Sequence, residues 1–185
     1  MDAIKGFMNL SPSNHEPNRN ANSNWKGILL WVALALVIRW QILEPRWIPS
    51  GSMLPTLNIQ DRILVEKVTP KINRLLGKDI GRNSVVVFSP PIELINLGYD
   101  SDKALIKRVV GIPGDKLEVH HGQLIRNGEE IDEGWKKETI NYEMSSITIP
   151  QDRVWVLGDN RNNSLDSHLW GPLPEKNVVG IAVLR

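Results

Sequence analysis

The stretch from Ile48 to Leu57 has residue types and spacing that suit nucleophilic catalysis. It reads Ile-Pro-Ser-Gly-Ser-Met-Leu-Pro-Thr-Leu, so two prolines flank a core that contains Ser50 and Ser52. Each proline fixes its own φ and favours extended backbone before it, while glycine permits a sharp turn. Such a segment can hold one hydroxyl beside a free N–H, as a serine nucleophile and its oxyanion require. The same pattern is also typical of an ordinary turn.

A serine nucleophile needs a base, and Lys107 is the strongest candidate in the sequence. It interrupts the apolar run Leu-Ile-Lys-Arg-Val-Val over residues 105–110, where strand alternation predicts that either Lys107 or Arg108 faces the interior. Histidine is the commoner base, but the four histidines fall in a tail, a predicted hairpin turn and a loop: His15, His120, His121 and His168.

Lysine acts as a base near neutral pH only if its pKa falls by about three units. Burial among apolar side chains produces shifts of that size. A surface lysine on an edge strand, where it opposes aggregation, would give the same local pattern. The run around Lys107 is therefore compatible with both interpretations.

A third stretch, from Val156 to Gly171, joins an apolar β run to a loop rich in Gly, Asp, Asn and Ser. These residue types cap backbone groups and build tight turns. Asp159, Ser164 and Asp166 in this loop are also suited to orienting a catalytic group.

The elements ahead of these stretches are a polar tail and an apolar segment. Residues 1–24 lack an apolar period and are predicted to be disordered. Residues 25–43 are predicted to form a transmembrane anchor with tryptophans near its ends. Their uncharged part, residues 27–38, is shorter than the roughly 20 residues of a full span. A buried core helix is therefore the alternative.

Residues 44–185 contain short β runs separated by Gly, Pro and Asn-Gly turns, which predicts an all-β domain of antiparallel sheets. Residues 90–103 are polar and irregular and are predicted to form an exposed loop. The predicted strands cover 62–68, 84–88, 105–111, 116–119, 123–126, 130–131, 146–149, 153–157 and 178–184.

The amino-acid composition argues against several classes of function. The chain of 185 residues has no cysteine, which excludes disulfides and thiolate metal sites. There is no His-Glu-x-x-His pattern, so a metalloprotease has almost no support. Neither a metal nor a cofactor is expected. The net charge of +1 does not indicate the basic surface that binding to nucleic acid requires.

Together, these stretches resemble the type I signal peptidases, membrane-bound serine–lysine endopeptidases. Pro49–Thr56 is similar to the nucleophile motif of that family, and Asp61–Lys67 to the strand motif after it. Lys107–Asp115 is similar to the general-base motif, and Gly158–Ser167 to the last motif. The four motifs occur in the family's order, and the resemblance covers roughly residues 25–185.

The resemblance implies a fold and roles for individual residues. The fold would be that family's coiled antiparallel sheets behind one N-terminal transmembrane helix. Ser52 would be the nucleophile and Lys107 the general base, and the N–H of Ser52 and the hydroxyl of Ser50 would bind the oxyanion. Ser164 would hydrogen-bond the Lys107 amine, and Asp166 would support the site from behind. Shallow apolar pockets for small residues such as Ala would be lined by Ile48, Met53, Leu57, Leu105 and Ile106.

The implied partners are preproteins with signal peptides and a lipid bilayer, with the catalytic domain on the periplasmic or thylakoid-lumen side. The ending Trp170–Pro174 is similar to cyanobacterial and plastid members. His168 stands where many relatives carry arginine, and Gln60 where a glycine is frequent. The alternatives are a catalytically idle, membrane-tethered binding module of the same fold and a serine–lysine self-cleaving regulator.

Overall fold

The computed structural model describes residues 24–136 and 138–183, so nearly all of the predicted disordered tail lies outside the described residues. The chain divides into two units, residues 1–38 and 39–185. Helix α1 runs from Asn24 to Ile42, and apolar side chains such as Leu30 and Trp31 are exposed.

The prediction of a transmembrane helix over residues 25–43 is not met. A helix forms there, but across residues 24–136 and 138–183 none has both the length and the apolar character needed to cross a membrane. The physical reason lies in the short uncharged run, which Lys26 and Arg39 bound on either side.

Eleven strands lie within the described ranges and form two antiparallel sheets. In chain order they are β1 Leu43–Trp47, β2 Arg62–Glu66, β3 Val85–Phe88, β4 Leu105–Gly111, β5 Lys116–His120, β6 Gln123–Arg126, β7 Glu129–Glu130, β8 Met144–Thr148, β9 Arg153–Leu157, β10 Leu173–Pro174 and β11 Val178–Val183. The larger sheet has the order β1-β2-β11-β3-β4-β9-β10, and the smaller has the order β7-β6-β5-β8.

The predicted antiparallel β organisation is confirmed, with differences in the connections. Strands β1 and β10 were not predicted, and the predicted loop over residues 90–103 contains a short helix. The described helices after α1 are α2 Val68–Leu75, α3 Ile92–Asn96 and α4 Ser167–Trp170, with 3-10 turns at Gly51–Met53, Arg161–Asn163 and Glu175–Asn177. These pieces are too short for periodicity to distinguish them from loops.

Strand β4 lies inside the larger sheet, between β3 and β9, and all seven of its residues are buried. Leu105 and Val109 pack in one apolar cluster, whereas Ile106 packs in another. Apolar side chains therefore cover both faces of the strand. As a result Lys107 and Arg108 are both buried, although alternation alone suggested that only one of them would be.

Candidate active site

Ser52 lies in the 3-10 turn Gly51–Met53 and is 8% exposed. Two backbone hydrogen bonds fix the base of the surrounding loop: Ile48 N–H donates to Asp61 O over 3.0 Å, and Gln60 N–H donates to Ile48 O over 2.8 Å. The φ of Gln60 is 72°, in the left-handed region that favours glycine. This loop holds the Ser52 hydroxyl at a fixed place in front of β4.

Lys107 reaches Ser52 from the middle of β4. Its Nζ donates one hydrogen bond to Ser52 Oγ over 2.7 Å and another to Ile106 O over 2.9 Å. The side chain is 3% exposed, and this burial lowers the pKa of Lys107 to about 8, against the opposing attraction of the Asp166 and Asp159 carboxylates. The site therefore pairs a hydroxyl with an amine that readily becomes neutral.

Arg108, the next residue of β4, forms a buried ion pair with Asp159. Its Nε donates to Oδ1 over 2.8 Å and its Nη2 to Oδ2 over 2.7 Å, so the fork geometry is bidentate. The guanidinium also donates to Asn83 O and lies 4.6 Å from the centre of the Trp135 ring. The pair anchors the loop that follows β9 directly to β4.

The loop after β9 also bonds the backbone that carries Ser52. Asn160 N–H donates to Ser52 O over 3.1 Å, and Asn160 Nδ2 donates to Gly51 O over 3.0 Å. Gly158 approaches so closely that an added Cβ would lie 2.5 Å from Ser52 O. The first and third stretches of the sequence thus meet through hydrogen bonds to the carbonyl oxygens of Gly51 and Ser52.

A second buried ion pair, between Arg161 and Glu133, also holds this loop in place. Arg161 donates from both terminal nitrogens to the Glu133 carboxylate over 2.5 Å, and neither side chain has any solvent exposure. Arg161 Nε also donates to Gly158 O over 3.0 Å. The position of Gly158 therefore depends on a carboxylate from a distant part of the chain.

Ser164 does not make the hydrogen bond predicted for it. Its Oγ is buried and has no hydrogen-bond partner within the described residues, and the Lys107 amine donates instead to Ser52 and Ile106 O. The Ser164 side chain packs against Gly158. The prediction of direct contact with the Lys107 amine is therefore wrong.

Asp166 is fully buried behind the site. Its Oδ2 accepts a hydrogen bond from Gly158 N–H over 2.9 Å, and its Oδ1 lies 2.6 Å from His168 Nδ1. The His168 ring stacks on Tyr142 at 4.2 Å between centroids. His168, which stands where many relatives of the resembled family carry arginine, therefore contacts the Asp166 carboxylate.

Two shallow pockets flank Ser52 and Lys107. One is lined by Ser50, Ser52, Tyr99, Leu105, Lys107 and Leu165, together with Gly51 and Asn163. Its neighbour is mainly apolar and includes Ile48, Leu105, Ile106 and Tyr99. Ser50 Oγ lies 3.4 Å from Ser52 Oγ at the edge of the first pocket.

Two predicted pocket residues are placed elsewhere. Met53 is fully buried in the core beneath the Ser52 turn, and Leu57 packs in the same apolar cluster and lines a different surface pocket. The turn points both side chains inward, so neither lines the pockets at Ser52. Pattern reading missed Tyr99, which lines both pockets from a region predicted to be a loop, and also missed Asn160 and Glu133.

No metal cluster accompanies these residues: over residues 24–136 and 138–183, the single group of three potential metal ligands lies on the smaller sheet.

A β fold that holds a serine hydroxyl against a buried lysine amine defines the class of serine hydrolases with a lysine base. The family model described as "Signal peptidase, peptidase S26" matches residues 22–185, so the chain belongs to that family. The family's members are serine endopeptidases.

The chain is 43% identical to Probable signal peptidase I-1 of Synechocystis sp. over 158 residues, which cover 85% of this chain and 78% of the relative. It is 42% identical to Signal peptidase I of Leptolyngbya laminosa, covering 86% of this chain and 76% of the relative. Probable thylakoidal processing peptidase 2, chloroplastic, of Arabidopsis thaliana is 44% identical to this chain. The match covers 83% of this chain but only 41% of that relative. A crystal structure of a signal peptidase I from Enterococcus faecalis V583 is 25% identical, with a TM-score of 0.46 over 55% of this chain and 95% of that chain.

Proposed function

We propose that this protein is an endopeptidase that removes N-terminal signal peptides from exported preproteins, with residues 44–185 as its peptidase domain. The observation that carries the proposal is the 2.7 Å hydrogen bond between Lys107 Nζ and Ser52 Oγ, made by an amine whose pKa burial lowers to about 8. The names of the relatives, signal peptidase I and thylakoidal processing peptidase, support the substrate class.

In the first half of the reaction, the neutral Lys107 amine takes the Ser52 proton while Oγ attacks the scissile carbonyl carbon. The carbonyl π electrons move to oxygen, and the Ser52 N–H and the Ser50 hydroxyl donate hydrogen bonds to the oxyanion. When the intermediate collapses, the C–N bond breaks and the leaving amine takes the proton from Lys107. The mature protein departs, and the signal peptide remains as an ester on Ser52.

In the second half, Lys107 takes a proton from a water molecule that attacks the ester carbonyl. Collapse of the second intermediate breaks the bond to Ser52 Oγ, which takes the proton back from Lys107. The signal peptide leaves with a free carboxyl group, and both side chains return to their starting protonation states. In both halves of the reaction, the Asp166 carboxylate holds Gly158 in place by accepting the hydrogen bond from its N–H.

The pockets beside Ser52 favour cleavage after small residues. Leu105 and Tyr99 line both depressions, and Ile106 adds an apolar wall to one of them. We expect side chains of about the size of Ala at the first and third positions before the cut. A substrate backbone could then place its carbonyl carbon at Ser52 Oγ.

The proposed location is a membrane surface on the side to which preproteins are exported, either the periplasm or the thylakoid lumen. Exposed apolar side chains of α1, including Leu30 and Trp31, provide a surface suited to lipid. The name of the Arabidopsis relative, a probable thylakoidal processing peptidase of the chloroplast, supports the thylakoid lumen for this chain.

The test is incubation of the purified full-length protein with a peptide whose signal segment ends in Ala-x-Ala, followed by mass analysis of the products. We expect one cut after the second alanine, no cleavage by Ser52→Ala, and normal cleavage by the control Ser145→Ala, whose side chain is exposed on β8. Lys107→Arg should also be inactive because a guanidinium stays protonated. Cleavage by folded Ser52→Ala would overturn the proposal, and binding without cleavage by the unaltered protein would favour an idle binding module.

A further inference from the structure

The turn between β5 and β6 brings two consecutive histidines to the same side of the smaller sheet. Consecutive residues of a strand normally point to opposite faces. His120 ends β5, and His121 follows with a φ of 49° in the left-handed region, which turns its ring back beside its neighbour. The two ring centroids are consequently only 3.8 Å apart.

A carboxylate from a different strand connection lies beside the two rings. Glu143 immediately precedes β8, which pairs with β5. Its Oε1 accepts a hydrogen bond from His121 N–H over 3.1 Å, and its Oε2 lies 3.1 Å from His120 Nδ1. The backbone N–H thus orients the carboxylate toward the imidazoles.

We propose that His120, His121 and Glu143 form a binding site for a divalent transition-metal cation of the zinc type. Their three potential ligand atoms all lie within 4.8 Å of one another. Two ligands bound to such an ion at about 2.0–2.1 Å lie about 2.9–3.4 Å apart, which matches the 3.1 Å between His120 Nδ1 and Glu143 Oε2. Two imidazoles and one carboxylate form a donor set that suits zinc and copper.

The surroundings allow the site to fill without rebuilding the fold. The His120 and Glu143 side chains are 60% and 63% exposed, so small rotations can close the three ligand atoms around an ion and water can complete its coordination. Bound there, the ion would tie the β5–β6 turn to the segment entering β8. The site belongs to the smaller sheet, whereas Ser52 and Lys107 belong with the larger one.

The test uses full-length protein without an affinity tag and Zn²⁺ as the probe, titrated in a calorimeter. We expect one equivalent to bind, with affinity reduced at least about tenfold in each of His120→Asn, His121→Asn and Glu143→Gln. The matched control is Glu129→Gln, which removes an exposed carboxylate from the same sheet and should leave the affinity unchanged. All four side chains are exposed, and circular dichroism checks that the variants remain folded.

A second measurement identifies the ligands directly. Electron paramagnetic resonance of bound Cu²⁺ should show coupling to two imidazole nitrogens, and to one in either histidine variant. No saturable Zn²⁺ binding, an affinity unchanged in any of the three ligand variants, or a nitrogen count unaffected by losing a histidine would each overturn the proposed site. None of these outcomes bears on peptide cleavage.

Discussion

The backbone carbonyl oxygen of Ser52 accepts a hydrogen bond from the backbone N–H of Asn160 over 3.1 Å. The contact joins the turn that carries the hydroxyl to the loop after β9. That loop is itself held by Asp159 on Arg108 and by Arg161 on Glu133. The position of the hydroxyl thus depends on two buried ion pairs that never touch it.

Replacing Gly158 with alanine should displace Ser52. The new Cβ would lie 2.5 Å from Ser52 O and would also contact the Ser164 side chain, so backbone must move. We expect the free energy of unfolding to fall by about 1–3 kcal/mol, as for other overpacked sites. We expect kcat to fall by more in proportion, because moving a reacting group by about 1 Å lowers the rate about 10²-fold. Gly134→Ala is the control, since nothing lies within 4 Å of its added Cβ. Equal activity in the two variants would contradict this close approach.

The rate of cleavage should rise with pH as Lys107 loses its proton. Burial lowers the pKa of this amine to about 8, so about a tenth of the molecules carry the neutral base at pH 7 and about nine-tenths at pH 9. A plot of kcat/KM against pH should therefore climb below about 8 and level off above it. A flat profile between pH 6 and 8 would count against Lys107 as the base.

Asp166→Asn should move that rise to lower pH. The Asp166 carboxylate raises the pKa of Lys107 against the larger effect of burial, and asparagine removes the charge while keeping nearly the same shape. The measurement is the midpoint of the kcat/KM profile in both proteins. A midpoint that stays in place, in a variant that remains folded, would show that this charge does not act on the amine.

Lys107→Met should be inactive but more stable than the unaltered protein at pH 7. The pKa of this lysine is lower in the folded state than its ordinary value of 10.5, so the unfolded chain binds more protons between about pH 8 and 10.5. Burial of the amine therefore costs stability below pH 8, on the order of 3 kcal/mol, and that cost fades as pH rises through this window. Urea unfolding at pH 7 and pH 10 should show the advantage of methionine shrinking. A similar gain in the exposed control Lys116→Met would contradict the explanation.

Glu133→Gln should destabilise the fold by about 3–5 kcal/mol, because it leaves the Arg161 guanidinium buried without a counter-charge. Cleavage should fall as well, since Arg161 holds Gly158 O. The control Glu130→Gln alters an exposed carboxylate on β7 and should be within about 0.5 kcal/mol of the unaltered protein. Restoration of much of the lost stability by adding Arg161→Met to Glu133→Gln would confirm that the unpaired charge is the cause.

The sequence by itself determined most of the strands and the family. Alternating apolar residues and Asn-Gly or Pro breaks are local signals, so strands such as β4 and β9 were predicted close to their observed bounds. The four motifs, taken together and in order from Pro49–Thr56 to Gly158–Ser167, identified the resemblance that the family match confirms. Short elements such as α3 and β10 carry too few residues for a period and were missed.

Only the tertiary structure decided what surrounds each site residue. Lys107 is shielded from solvent because β3, β9 and the Ser52 turn all pack against β4. The residues of the Lys107–Asp115 motif do not by themselves specify these neighbours. For the same reason, Ser164 lacks its predicted bond and Met53 packs in the core. Desolvation and hydrogen-bond partners depend on atoms brought together from distant parts of the chain, whereas periodicity reports only on neighbours in sequence.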